Sequence, residues 1–139
     1  MATDNLFYTI HVELWYMKGK INLKEKLGHF SDHWSPRIIG ELNGQYVKLA
    51  KVKGEMVWHS HANEDELFYI IKGQLTLKFR DREEISLTEG DMYIVPKGVE
   101  HNPVTKNGEV VHVLLFEKMS TAHTGNVQHE KTQTHYPKI

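Results

Sequence analysis

The side chains in this sequence best suited to hold a metal ion are three histidines and one glutamate. His59, His61 and Glu66 lie in the block WHSHANEDELFYIIKG, and His101 lies in the block GDMYIVPKGVEHNPVT. Three imidazoles and one carboxylate suit a borderline divalent ion. They predict a site for one divalent transition-metal ion, Mn, Fe, Co, Ni or Zn. A six-coordinate ion would keep two positions open for water or substrate.

The four donors can meet only if the strands that carry them curl into a small barrel. His59 and His61 are two residues apart on a predicted strand, so their side chains share one face. Glu66 opens the next strand after a polar loop, and His101 follows the turn element Pro96-Lys97-Gly98. A tight return between strands would therefore place all four side chains around one point.

Two neighbouring carboxylates, Glu64 and Asp65, are alternatives to Glu66. The apolar run LFYII begins directly after Glu66, so Glu66 belongs to a strand while the other two are expected to be loop charges. The other interpretation of the whole cluster is a polar barrel mouth without an ion. That interpretation is disfavoured because buried polar groups that lack partners are costly.

From residue 37 onward the pattern predicts a β domain. Short apolar segments alternate with turn signals such as Asn43-Gly44, which is typical of a hairpin. Eight strands in this arrangement favour a sandwich or barrel. The predicted strands are Arg37–Leu42, Gln45–Val52, Met56–His61, Leu67–Lys72, Gln74–Arg80, Glu84–Leu87, Asp91–Val95 and Val110–Glu117.

The two ends of the chain differ from this β region. Alternating apolar residues predict one long strand over Leu6–Tyr16, which could pair within the barrel or with a second subunit. Asn22 and Glu25 resemble a capping box and predict a short helix over Leu23–Phe30. Residues 119–139 are polar with little periodicity, so we expect this tail to lie over the surface or to be partly disordered.

Length and composition narrow the class of protein. The 139 residues fit one domain, 40% of them are apolar, and seventeen basic against eighteen acidic side chains give a net charge of −1. This balance predicts no nucleic-acid partner. No apolar run is long enough for a membrane span, and the expected location is cytoplasmic. The absence of cysteine excludes disulfides and zinc sites with thiolate ligands.

The spacing of the two blocks resembles the cupin superfamily. Its first motif, Gly-x5-His-x-His-x(3–4)-Glu-x6-Gly, corresponds to Gly54, His59, His61, Glu66 and Gly73, although four residues rather than five follow the first glycine. Its second motif is Gly-x5-Pro-x-Gly-x2-His-x3-Asn. This sequence matches it with Gly90, Pro96, Gly98 and His101, and has Thr105 where asparagine is expected.

The resemblance covers roughly residues 40–117 and implies a double-stranded β-helix, or jelly-roll, barrel. The predicted organisation is one cupin domain over residues 1–139, with a core at about 36–118, a strand extension at 1–17 and a tail at 119–139. The resemblance also implies a homodimer, here with exchange of the N-terminal strand as one route, and His59, His61, Glu66 and His101 as metal ligands. The chain resembles small uncharacterised cupins of the mannose-6-phosphate isomerase-like kind.

Several other residues are weaker candidates for the site. His112 could support the ligands or carry protons, but a core histidine is the favoured interpretation. Tyr93, Tyr69 and Tyr46 could line the pocket or pack, and Trp58 is expected outside it. Surface charge is the favoured interpretation of Arg37, Lys48 and Arg80, and surface or incidental positions are expected for His11, His29, His33, His123, His129 and His135.

Two classes of function fit these predictions. The first is a metalloenzyme of the isomerase, dioxygenase or lyase type that acts on a small polar substrate in the barrel pocket. The alternative is a non-catalytic, metal-dependent protein that binds or senses a small ligand. A barrel whose main role is assembly is a third hypothesis, and it gains if no metal is bound.

Overall fold

The computed structural model describes residues 19–139, so the predicted strand Leu6–Tyr16 lies outside the described residues. No helix within 19–139 is long and apolar enough to cross a bilayer. The described part contains one short helix and eight strands. In chain order these are α1 Leu23–Leu27, β1 Arg37–Leu42, β2 Gln45–Val52, β3 Glu66–Lys72, β4 Leu75–Phe79, β5 Ile85–Leu87, β6 Met92–Val95, β7 His101–Val104 and β8 Val111–Lys118.

The strands form two antiparallel sheets. The larger sheet has the order β1-β2-β8-β3-β6, and the smaller has the order β5-β4-β7. The main apolar core lies between them, with Ile70 and Val113 from the larger sheet against Leu75 and Leu77 from the smaller. The predicted all-β architecture with a short helix is therefore confirmed.

Strand β8 shows how alternation divides the larger sheet into an inner and an outer face. Val111, Val113, Leu115 and Glu117 are buried, whereas the residues between them are half-buried. Successive side chains of a strand point to opposite faces, so the buried set faces the core. In β8 the inner set ends in an acidic residue, Glu117, which lies close enough to Glu66 for the charge of Glu66 to raise its pKa.

A second, smaller core covers the outer face of the larger sheet, where Leu27 and Phe30 pack with Ile39 and Leu49. The predicted cap is confirmed, since Asn22 Oδ1 accepts a hydrogen bond from the Glu25 amide at 2.9 Å. The helix ends at Leu27 rather than Phe30. The poor helix former Gly28 follows, and its amide bonds back to the carbonyls of the last turn.

One predicted strand was wrong, and one strand was missing from the predicted set. Residues 56–61 do not form a regular strand, because Glu55 and His59 make only isolated bridges to β7. His101 follows the predicted turn and begins β7, a strand that was not among those predicted. Both differences concern the same contact, in which an irregular segment lies against a short strand that contains Pro103.

The C-terminal tail is ordered and packs onto the barrel. Asn126 donates its amide to Ser60 O at 3.1 Å, and Ser60 donates its amide to Asn126 Oδ1 at 3.0 Å. At the far end Ile38 bonds to Pro137 O and to the Ile139 amide. The tail therefore runs from the segment that carries the histidine pair to the edge strand β1.

Candidate metal centre

The structure brings the four predicted ligands together. The side chains of His59, His61, Glu66 and His101 are all buried, and one donor atom from each lies within 4.8 Å of the others. Donors that share an ion at about 2.1 Å lie roughly 3 to 4.2 Å apart. The spacing is therefore close to that of a metal-bound set, and a contraction of a few tenths of an ångström would complete it.

His59 and His101 face each other across an antiparallel bridge. The His101 amide donates to His59 O at 2.9 Å, and the His59 amide donates to His101 O at 3.1 Å. Residues paired in this way lie about 5.5 Å apart at Cα, and their rings lie 4.5 Å apart at the centroids. Two ligands from distant parts of the chain are thus fixed to each other by backbone bonds.

The same two rings are oriented by backbone carbonyls. His59 Nδ1 lies 2.8 Å from Val57 O, and His101 Nδ1 lies 3.0 Å from Val99 O. Because a carbonyl oxygen only accepts, each Nδ1 must carry the proton. Each Nε2 is then left with its lone pair available for a metal ion, which is the usual arrangement at metal-binding histidines.

Glu66 is the anionic centre of the cluster. Its Oε2 lies 3.1 Å from His61 Nε2 and 3.2 Å from His101 Nε2. Burial alone would raise the pKa of the Glu66 carboxyl, but the interactions with the nearby His101 and His61 rings outweigh burial and hold it well below its usual value. The carboxylate is therefore ionised at neutral pH, as a metal ligand must be.

The ring of His61 supports the presence of an ion. Its Nε2 is buried and makes no well-aligned hydrogen bond within residues 19–139, although the Glu66 carboxylate is close by. Burial lowers the pKa of His61, but the nearby carboxylate outweighs it and the pKa lies above its ordinary value. A buried donor atom without an aligned partner is costly, and a shared cation would satisfy it. The donor set therefore fits one divalent transition-metal ion.

The net shift of the His59 pKa is opposite to that of His61. Burial lowers the pKa of the His59 ring to about 4, with a further contribution from His101. The ring is therefore neutral at pH 7, the state in which imidazole binds metal.

The two alternative carboxylates hold loops rather than the cluster. Asp65 Oδ1 accepts the Lys97 amide at 2.8 Å, and Glu64 Oε1 accepts the Ser120 hydroxyl at 3.2 Å. The carbonyl of His61 accepts the Gly98 amide at 2.7 Å. The loop before β3 is thus tied to the turn before β7, and this connection positions the ligands from both blocks.

A cavity opens next to the cluster. Its free space is about 40 Å³, and its polar boundary includes His59, Glu66 and His123. The rest of the wall is apolar, apart from the indole N–H of Trp34, which is donated to Lys53 O at 2.8 Å. These apolar lining residues are Pro36, Ala50, Val52, Met56, Phe68, Leu75, Pro103, Val113 and Leu115.

A buried ion pair lies beside the cluster on the inner face of the larger sheet. Lys48 Nζ contacts Glu117 Oε1, and both side chains are almost fully buried. Burial, and then the charge of Glu66, raise the pKa of Glu117 to about 7 against the opposing effect of Lys48. Lys48, expected at the surface, is therefore an interior residue next to the candidate site.

The remaining candidates lie away from the cluster. The alternation of inner and outer faces in β8 places His112 on the outer face, where burial, Lys51 and Lys72 lower its pKa. Its suggested role beside the ligands therefore has no structural support. Tyr93 packs against the core with its ring 5.8 Å from Phe79, and it does not line the cavity described above.

Three further side chains make structural contacts. The guanidinium of Arg80 stacks on Trp58, 3.8 Å from the ring centroid, which favours simple packing for this tryptophan. Arg37 pairs with Asp32 at 2.7 Å. Neither basic residue lines the cavity.

His123 was wrongly expected to be a surface or incidental residue. It lines the cavity with His59 and Glu66, and it comes from the tail, where no strand or helix pattern marks which residues turn inward.

Comparison with known protein families agrees with the fold and the donor set. The family model described as "Cupin domain" matches residues 46–117. This chain belongs to the cupin family. A solved cupin-2 domain protein from Shewanella frigidimarina is 47% identical, with a TM-score of 0.66 over 69% of this chain and 91% of that one. The jelly-roll prediction is thereby confirmed.

Two curated relatives extend the comparison. The uncharacterised protein YdbB of Bacillus subtilis is 39% identical over 79 residues, which span 57% of this cupin and 64% of YdbB. A protein of Aspergillus fumigatus named 3-hydroxyanthranilate 3,4-dioxygenase 2 is 33% identical over 69 residues, which span 46% of this cupin and 36% of the dioxygenase. The match thus covers less than two thirds of either relative.

Proposed function

We propose that this cupin is a metal-dependent enzyme that acts on a small substrate with an oxygen-bearing head and an apolar body. The observation that carries the proposal is the meeting of four buried donors at one end of a mainly apolar cavity. A bound Mn, Fe, Co, Ni or Zn ion would polarise a substrate oxygen, and a redox-active one could also activate dioxygen. Four protein donors would leave positions of a six-coordinate ion open for a substrate.

The cavity wall favours dioxygenase chemistry over sugar isomerisation or a lyase reaction on a polyol. A sugar would bury several hydroxyl groups against Val52, Phe68 and Leu115, where they would find no hydrogen-bond partner. An aromatic or aliphatic body would contact the same wall without that cost. The similarity to a named dioxygenase over 69 residues supports this choice among the three reaction types.

The chain's own residues would orient the reaction. Val57 O and Val99 O fix the rings of His59 and His101, so little reorganisation is needed when a substrate binds. Phe68 and the other apolar residues of the wall exclude water from the side of the substrate that does not react.

The alternative is a non-catalytic protein that binds or senses a small ligand through its metal. One observation favours it: the cavity has free space for only roughly three water molecules. A larger ligand must push part of the cavity wall outward, and such a displacement could signal binding. Homodimer formation, exchange of the strand at residues 1–17 and a cytoplasmic location stay predictions.

The test begins with metal content. Protein purified without chelators should contain about one transition-metal ion per chain. His101→Ala should lose it, because a ligand is removed, whereas His112→Ala on the outer face should keep it. Full metal occupancy in His101→Ala would contradict the ligand assignment.

Oxygen consumption then separates the two functions. The metal-loaded protein is offered a panel of catechols, aliphatic diols and thiols in an oxygen electrode. Uptake with an aromatic diol that disappears in His101→Ala would support the dioxygenase proposal. Binding of the same compounds without turnover would instead support the ligand-binding alternative.

A further inference from the structure

The C-terminal tail forms part of the wall of the metal pocket. It is attached directly to the segment that carries two ligands, since Asn126 exchanges two hydrogen bonds with Ser60, the residue between His59 and His61. Gly125 allows this contact. A Cβ at this glycine would lie only 2.0 Å from Ser60 O.

Hydrogen bonds within the tail hold it in one shape. Thr124 Oγ1 lies 2.5 Å from Val127 O and 2.6 Å from Thr132 Oγ1. Thr132 Oγ1 also accepts the His129 amide at 2.9 Å. The turn that follows His123 is therefore closed by side-chain bonds and presents His123 to the pocket in a defined way.

The protonation of the His123 ring follows from its partner. The Gln133 amide donates to His123 Nδ1 at 2.9 Å. Since Nδ1 accepts, the proton of the neutral ring must lie on Nε2. Burial, and then the charge of Lys48, lower the pKa of His123 to about 4, so the ring is neutral at pH 7 and offers one N–H donor.

The other polar groups that line the cavity have different tasks. His59 and Glu66 belong to the candidate ligand set, and the Trp34 indole N–H is donated to Lys53 O. Of the described residues that line the cavity, His123 is therefore a polar side chain outside the candidate ligand set. Its ring also interacts with the backbone of Lys131, which opposes the lowering of its pKa, so a ligand acceptor would compete with that contact for the ring N–H.

We propose that His123 is a substrate-binding residue, whose Nε2–H donates a hydrogen bond to an acceptor oxygen of a molecule held at the metal cluster. This inference rests on the proposed function and narrows the substrate class. The ligand would carry two adjacent oxygens, at least one of them an acceptor for His123, on an aromatic or aliphatic body that fits the apolar wall. Catecholates and hydroxy-aryl carboxylates have this chemistry.

The experiment uses the full chain loaded with Co²⁺ and the chromogenic catechol 4-nitrocatechol as the probe. Cobalt content and the dissociation constant of the probe are measured for wild type, His123→Phe and His123→Gln. The phenylalanine variant keeps a ring but has no donor, and the glutamine variant keeps an N–H near the position of Nε2. His135→Phe, at an exposed position of the same tail, is the matched control.

We expect one cobalt per chain in every variant. The dissociation constant for 4-nitrocatechol should rise about tenfold in His123→Phe, the size of one lost hydrogen bond to a charged acceptor. It should stay within about threefold of wild type in His123→Gln and unchanged in His135→Phe.

Other outcomes would overturn the inference. Equal affinity in wild type and His123→Phe would show that the ring makes no bond to the ligand. Equal losses in the phenylalanine and glutamine variants would show a structural role only. A wild-type protein that holds cobalt but ignores the catechol would reject the ligand class. Failure of the wild type to bind cobalt would instead contradict the proposed function.

Discussion

At the scale of single residues, the site depends on which nitrogen of each histidine is already used. In His59 and His101, Nδ1 donates a hydrogen bond to the carbonyl two residues earlier. In His123, Nδ1 accepts a hydrogen bond from the Gln133 amide. The first two rings therefore offer a lone pair at Nε2, whereas the third offers a proton. Side chains of the same type thus have opposite roles at one cavity.

The sequence identified the four candidate ligands because their spacing, which matches the cupin motifs, places them on strands and turns that can meet. It did not show that His123, rather than His112, lines the cavity, and the reason is physical. In β8 both faces are apolar, since the inner face packs in the barrel and Leu114 packs against the second core. Period-two alternation then predicts two faces but not which of them is inside.

The buried, neutral ring of His123 makes the stability of the metal-free protein depend on pH. Its pKa is about 4 in the folded chain against an ordinary value of 6.5. Between these values the unfolded chain binds the proton and the folded chain does not. The stabilisation is therefore present above pH 6.5 and is lost as the pH falls towards 4.

We expect His123→Gln to lose less stability than wild type between pH 7 and pH 5. The difference in slope should reach at most about 1.4 kcal/mol per pH unit for one proton. Urea unfolding in the presence of a chelator measures it, and His135→Gln at an exposed position is the control. Parallel pH profiles for wild type and His123→Gln would show that the ring titrates equally in both states.

At the scale of elements, the sequence predicted the regular ladders well and the irregular contacts poorly. Strands β1 and β2 have the predicted bounds because alternation and an Asn-Gly turn define both. The segment 56–61 and β7 instead share isolated bridges. Pro103 has no N–H to donate to a neighbouring strand, and proline is rare inside strands. The pattern therefore did not predict a strand there.

The packing of the C-terminal tail onto the barrel was not predicted, for a related reason. Its position depends on side-chain acceptors, such as Asn126 Oδ1 and Thr124 Oγ1, and on close backbone approach at Gly125. Such contacts leave no hydrophobic period in the sequence. They become visible only when the partner, here Ser60, is known.

Gly125 tests the attachment of the tail to the barrel. Its φ of +53° favours glycine, and a methyl group there would meet the Ser60 carbonyl. We expect Gly125→Ala to release the tail around this point while the barrel stays folded. Amide hydrogen exchange at Ser60 and Asn126 should then become at least tenfold faster, because the two bonds between them are lost.

Gly108→Ala is the matched control for that change. Gly108 also has a positive φ, of +70°, but an added Cβ would meet only the flexible end of Lys53 at 3.9 Å. The backbone strain is therefore similar while the clash is absent. Unchanged exchange at Ser60 and Asn126 in Gly125→Ala, or an equal increase in both variants, would contradict the close packing of the tail.

At the scale of the whole molecule, the candidate metal site joins parts of both sheets. Glu66 begins β3 in the larger sheet, His101 begins β7 in the smaller, and His59 and His61 lie in the segment between β2 and β3. An ion that binds all four would add a link between the two layers of the barrel. Such binding stabilises the folded state, because the unfolded chain does not hold the four donors together.

The size of this effect follows from mass action. At a free metal concentration about 1,000 times the dissociation constant, binding adds about 4 kcal/mol to the free energy of unfolding. For a chain of this length that corresponds to a rise in melting temperature of roughly 10 to 15 °C. We expect Mn²⁺, Co²⁺ or Ni²⁺ to produce it in protein first treated with a chelator, as measured by circular dichroism melts.

Two variants assign that rise to the four donors rather than to general ion binding. His101→Ala should show no metal-dependent shift, because it lacks the ligand that the smaller sheet contributes. His112→Ala should shift as wild type does, because that ring lies on the outer face of β8. A shift that survives in His101→Ala, or one that disappears in His112→Ala, would mean that the ion binds elsewhere and that the barrel layers are held together without it.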